Sequence, residues 1–133
     1  MSKLSIQSQI TFLYYDDLTP IADFYQNVIG LTLVEDQQWA KIYQVSQTSF
    51  LGIVDGERGF RKPQPESAVL CTFAVPDVMA WYDHLVAQGV KILREPNTYE
   101  EIQVQCFFFE DPGGYAVEVQ CFLKPELEGI FHR

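Results

Sequence analysis

The sequence predicts an α+β fold in which one strand–helix–three-strand module is used twice. Three observations predict it. The two halves of the chain echo each other, each half opens on a strand that runs into an Asp-led helix, and the second half closes on a turn and strand, Asp111 to Gln120 (DPGGYAVEVQ). The first half runs TFLYYDDLTPIADFY and reaches Gly30-Leu31-Thr32-Leu33; the second runs TFAVPDVMAWY and reaches Gly89-Val90-Lys91-Ile92. Thr11-Phe12 matches Thr72-Phe73, Asp17 matches Asp77 and Gly30 matches Gly89, with an offset that drifts from 61 to 59. Matches in this order, on the same predicted elements, point to a duplicated unit.

Each half begins with a strand, about Ser5–Tyr15 and Ser67–Val75, rich in β-branched and aromatic residues. Asp17 and Asp77 follow as N-caps, because a carboxylate there accepts from the free N–H groups of a first helical turn. The helices run near Leu18–Val28 and Val78–Ala87. Ile21, Phe24, Tyr25 and Val28 form one apolar stripe, and Val78, Trp81, Tyr82 and Leu85 form the other. Gly30 and Gly89 end them. Three more strands complete each half: about Leu31–Glu35, Ala40–Gln47 and Phe50–Val54, then Val90–Arg94, Gln103–Glu110 and Tyr115–Phe122. The chain thus divides into a module over about 5–54, a Gly- and Pro-bearing linker at 55–66, a module over about 67–122 and a tail at 123–133. The linker carries three of the nine basic residues, Arg58, Arg61 and Lys62.

With 133 residues, 47% of them hydrophobic and 14% aromatic, the chain is one ordinary domain in length and rich enough in apolar residues for a full core. A formal net charge of −9 argues against nucleic acid and anionic membranes as partners. No apolar run reaches the roughly 20 residues of a membrane span. Three cysteines without metal-type spacing, and an N-terminus (MSKLSIQSQ) without an apolar signal region, suggest reduced thiols and a cytoplasmic location.

The standard signatures of phosphate, dinucleotide and serine-hydrolase sites are absent. His84 sits on a predicted helix face and His132 next to the end, both poorly placed for metal or nucleophilic work. Cys71, Cys106 and Cys121 lie mid-strand with no adjacent cation to activate them, which reads as core packing. The aromatics on strands, Phe12, Tyr14, Trp39, Tyr43, Phe73, Phe107, Phe108 and Phe109, either fill the core or line an apolar pocket on the concave face of a curved sheet. Strand alternation sets Phe107 and Phe109 opposite Phe108. Asp111-Pro112-Gly113-Gly114 is a turn, and alternation beyond it puts Ala116, Glu118 and Gln120 on one face and Val117, Val119 and Cys121 on the other. The Val face must be buried. Glu118 is therefore a solvent-facing residue, a buried acid or a ligand.

These motifs resemble the vicinal oxygen chelate superfamily, which includes glyoxalase I, extradiol dioxygenases, fosfomycin-resistance enzymes and bleomycin-resistance proteins. The resemblance rests on the strand leading to Asp17-Leu18, the helix with Phe24-Tyr25 and Ile29-Gly30-Leu31, the turn Val75-Pro76-Asp77-Val78, and DPGGYAVEV. It covers about Ser5 to Phe122. It implies two βαβββ modules forming a curved mixed sheet around a cleft, helices outside, in a homodimer. Metal-bearing members take ligands from the first strand of each module, a mid-module strand and the last strand. Counting along this chain puts those positions at Ile10, at Leu70 or Cys71, in Phe50–Val54 and at Glu118, so that only Glu118 matches. Gln9 stands next to the first position but points to the other face.

The resemblance and the lost ligands together imply a small-molecule binding protein without cofactor. It would hold an aromatic or cationic ligand with Phe12, Tyr14, Trp39, Tyr43, Phe73, Phe107, Phe109 and Glu118. The alternative is a lyase, isomerase or dioxygenase-type enzyme. There Glu118 would act as general base, or as one ligand of an atypical divalent-metal site completed by Tyr14 or Gln9.

Overall fold

The computed structural model describes residues 4–133, and two compact units emerge, one ending at Pro65 and the other beginning at Glu66. Each unit carries a four-stranded mixed sheet, and the described residues form three α-helices, the α+β architecture of paired βαβββ modules. Among the described residues no helix is long and apolar enough to cross a membrane.

In the first unit the order is β1 (Gln9–Tyr15), α1 (Leu18–Asp23), β2 (Thr32–Asp36), β3 (Ala40–Gln44) and β4 (Ser49–Asp55), with β1-β4-β3-β2 across the sheet. β1 pairs parallel with β4, and the other two pairings are antiparallel. Parallel pairing of first and last strands needs a crossover, and α1 is its helical part. Asp17 caps α1, its Oδ1 accepting from the Thr19 N–H at 3.1 Å. The helix then widens into a π-helical turn over Phe24–Ile29 that closes on Gly30 at φ 89°. Sequence periodicity predicts an apolar stripe ending at Val28. The wider winding carries one more residue per turn, so Ile29 is buried and Val28 only half-buried.

The second unit repeats the plan. Its order is β5 (Leu70–Ala74), α2 (Val78–Ala87), β6 (Lys91–Tyr99), β7 (Val104–Glu110) and β8 (Ala116–Phe122), arranged β5-β8-β7-β6. The tail carries α3 (Pro125–Phe131). Asp77 caps α2 by accepting from the Ala80 N–H at 3.0 Å. The Asp111 turn forms as expected, with the buried Oδ1 accepting from the Gly113 and Tyr115 N–H groups. Those two donors satisfy the carboxylate away from water.

Alternation sorts each sheet into a helix-facing and an open side. Leu13, Tyr15, Tyr43, Leu51 and Ile53 form the buried side of the first sheet; Phe107, Phe109, Val117 and Val119 form that of the second, with Tyr82 of α2 edge-on to Phe107 at 5.4 Å. The strand ends correct the sequence repeat by one residue. The two N-caps stand 60 positions apart, and so do the buried residues Tyr15 and Val75 that precede them. Phe12, not Thr11, is therefore the counterpart of Thr72. Residue identity in the Thr-Phe pair suggests the shifted match, but face parity overrules it.

Candidate functional site

Each open side is crossed at its centre by one row of four residues, one per strand. In the second unit the row is Thr72 on β5, Glu118 on β8, Phe108 on β7 and Arg94 on β6, each the register partner of the next. Glu118 is half-buried and accepts from the Thr72 hydroxyl at 2.9 Å. Cys106 lies one same-face step along β7 from Phe108, the register partner of Glu118. Burial, with the Glu118 carboxylate nearby, raises the Cys106 thiol to about 11, and Arg94 pulls the other way. A thiol raised in this way stays protonated and is a poor nucleophile.

Arg94 reaches this face because of a bulge. Simple alternation would put Ile92 and Arg94 on one side. The register slips between them, so Ile92 stays opposite buried Phe109 and Arg94 lands opposite Phe108. Its guanidinium then lies 5.2 Å from the centre of the Phe108 ring. A second slip beyond Arg94 sets Asn97 opposite Cys106.

The equivalent row of the first unit is Phe12, Gly52, Ile42 and Glu35. Here too a bulge, between Leu33 and Glu35, turns the last residue to the open side. The Phe12 ring occupies the space a side chain at position 52 would need: a Cβ built on Gly52 would run into Cδ1 and Cε1 of that ring. The linker residues fold back on the same unit, with Gly59 against Tyr14 and Val54. Lys62 donates to the Gly56 carbonyl at 2.6 Å, and Arg58 lies 5.9 Å from the Trp39 ring centre.

These placements sort the residues singled out from the sequence. Glu118, Phe12 and Tyr14 face the open sides. Tyr43, Phe107 and Phe109 are 0% exposed on the helix-facing sides, where they pack in the core. Phe73 shares the helix-facing parity of buried Val75, and Trp39 precedes β3 beneath Arg58. The residue across from Glu118 is Thr72, where counting along the chain pointed to Leu70 or Cys71; Cys71 faces the helix side. Thr72, Arg94, Cys106 and Phe108 are the functional candidates that sequence reasoning passed over. Phe108 was legible, since alternation already set it opposite Phe107 and Phe109; Arg94 was not, because only the bulge turns it.

The central rows supply few of the donors that the metal implied by the resemblance would need. The second-unit row offers one carboxylate and one hydroxyl, and the matching pair in the first unit is Phe12 and Gly52, which offer nothing. A divalent transition metal takes three or four N, O or S donors from side chains. Among the described residues no group of three or more His, Cys, Asp or Glu is placed to hold one.

Comparison with known proteins agrees with this architecture. Solved structures of similar fold include a lactoylglutathione lyase from Agrobacterium tumefaciens, 20% identical, covering 90% of this chain and 96% of that one with a TM-score of 0.72. A glyoxalase/bleomycin resistance protein/dioxygenase from Nocardioides is 18% identical over 94% of this chain and 88% of its own, with a TM-score of 0.73. TioX from Micromonospora sp. ML1 is 15% identical over 87% and 98%, also with a TM-score of 0.73. At these identities the likeness establishes the fold alone. No curated protein sequence matches. The family model described as Glyoxalase/Bleomycin resistance protein/Dioxygenase superfamily matches residues 7–119. With that match over most of its length, and two βαβββ units beneath it, the chain belongs to the glyoxalase/bleomycin resistance/dioxygenase superfamily.

Proposed function

We propose that this protein binds a small aromatic or cationic molecule on the open side of its second sheet, without a metal, and that Glu118 anchors the ligand's positive end. One observation carries the reading. Glu118 is a half-buried carboxylate held by the Thr72 hydroxyl, next to Phe108 in its row, and among the described residues no ion pair engages it. A carboxylate held in place without a counter-charge favours a cation delivered from solution, and an adjacent ring face adds a further attraction for it. The free state of all three cysteines accords with a cytoplasmic setting, and a homodimer is part of the same proposal.

Isothermal titration with cationic glycopeptides and aromatic amines tests it. Binding should appear with at least one of these, and Glu118→Gln should weaken it about tenfold, the loss of one charge-assisted contact worth about 1.4 kcal/mol. Absence of heat from every cation would overturn the reading. Stoichiometric divalent metal in protein purified without chelator would overturn its metal-free part. That result would favour the enzyme reading, in which Glu118 serves as a ligand or base.

A further inference from the structure

We infer that the ligand of this face is a zwitterion, with its cationic end on Glu118, its flat apolar middle on Phe108 and its anionic end on Arg94. The inference rests on the binding reading above and extends it to a substrate class.

Arg94 and Glu118 flank Phe108 on neighbouring strands of one row, and the Phe108 ring lies between opposite charges. Among the described residues neither charge has an ion-pair partner, and the salt bridges present, Lys41–Asp36 and Lys91–Glu110, lie elsewhere. The backbones of β6 and β8 are two strand spacings apart, about 10 Å. The Arg94 guanidinium lies 5.2 Å from the centre of the Phe108 ring, so its charge reaches inward from β6, and a ligand built on one substituted benzene ring suits the interval. A molecule with an ammonium and a carboxylate at opposite ends of such a ring matches all three groups in order.

The bulge adds an independent argument. A surface arginine needs no register slip to reach solvent. Here the slip between Ile92 and Arg94 breaks the ladder and brings the guanidinium to the Glu118 side, while Ile92 keeps its place over the core. Bulges are used in this way to re-aim side chains beside binding sites. The first unit makes the same slip but presents Glu35 beside Ile42 and a glycine. The paired opposite charges with a ring between them are thus particular to the second row.

Three probes separate the contributions: 4-(aminomethyl)benzoate, 4-methylbenzylamine and 4-methylbenzoate, titrated calorimetrically at low salt. The zwitterion should bind about fivefold to tenfold more tightly than the amine, the range of a partly exposed charge contact. Arg94→Gln should erase that advantage, so that zwitterion and amine bind alike. Arg94→Lys should keep much of it, which separates charge from any effect on folding. Equal affinity for zwitterion and amine, or an advantage that survives Arg94→Gln, overturns the inference and leaves the cation-binding reading standing. No binding by any probe overturns both. Binding of the benzoate as tight as the zwitterion, untouched by Glu118→Gln, also overturns both and makes the face an anion site.

Discussion

Across the first sheet the central row reads Phe12, Gly52, Ile42, Glu35; across the second it reads Thr72, Glu118, Phe108, Arg94. Strand order, parallel pairing, helix caps and even the bulge before the last residue are shared. The chemistry is not. In the first row a ring lies over a glycine and closes the space where a side chain could project. In the second, a carboxylate projects and accepts from the Thr72 hydroxyl. A duplicated backbone therefore keeps its packing rules on the helix-facing side, while the open side, free of those rules, is filled by a ring in one unit and carries a charged row in the other.

The largest effect expected from breaking this contrast lies on β7, where consecutive residues serve opposite sides. Phe107→Ala should cost about 3–5 kcal/mol in urea unfolding, because it empties a fully buried site under α2. Phe108→Ala should cost far less stability and instead weaken aromatic ligands. Equal destabilisation by the two would contradict the division of faces.

Filling the first row comes next. Gly52→Ala should destabilise by about 1–3 kcal/mol, since its methyl competes with the Phe12 ring. In a Phe12→Ala background the same change should become nearly neutral, and a double-mutant cycle measures the difference. Without that coupling, the ring is not what occupies the space.

Thr72→Val should be milder, about 1 kcal/mol or less by chemical denaturation, because the hydroxyl it removes is exposed. Its clearer signature should be weaker cation binding at unchanged fold.

At ordinary pH the smallest effect is that of the thiols. Burial raises both Cys71 and Cys106 to about 11, aided by the negative charge of Asp111 at Cys71 and by the nearby Glu118 carboxylate at Cys106. A folded value above the unfolded one stabilises the protonated state. That stabilisation is therefore fully present below about pH 9 and declines as pH rises toward 11. Thermal melts between pH 7 and 11 should show a plateau and then a fall. A Cys106→Ser variant with an unchanged alkaline limb would remove Cys106 from this account.

Much of the fold was readable beforehand because its signals are local. Asp17 and Asp77 cap the helices they precede, and Asp111 nucleates its turn through donors two and four residues away. The alternation of Val117 and Val119 with Glu118 fixes which side of β8 is core. The site was legible only in part. Glu118 stands out as a lone acid among apolar residues. Thr72, by contrast, becomes its partner only through the parallel register with β5, 46 residues away in sequence. Tyr43, Phe107 and Phe109 look like ligand contacts in a list of strand aromatics, yet the helices cover their side of the sheet.

The sequence by itself determined the duplicated α+β plan, the caps, the turn and the identity of the suspicious carboxylate, because each depends on residues within a few positions of one another. Tertiary structure decided which residues share the row with Glu118. Register and bulges depend on how strands pair, and a slip of one residue sends a side chain to the opposite face. For that reason Arg94 and Phe108 meet Glu118 in space without any spacing in the chain announcing it.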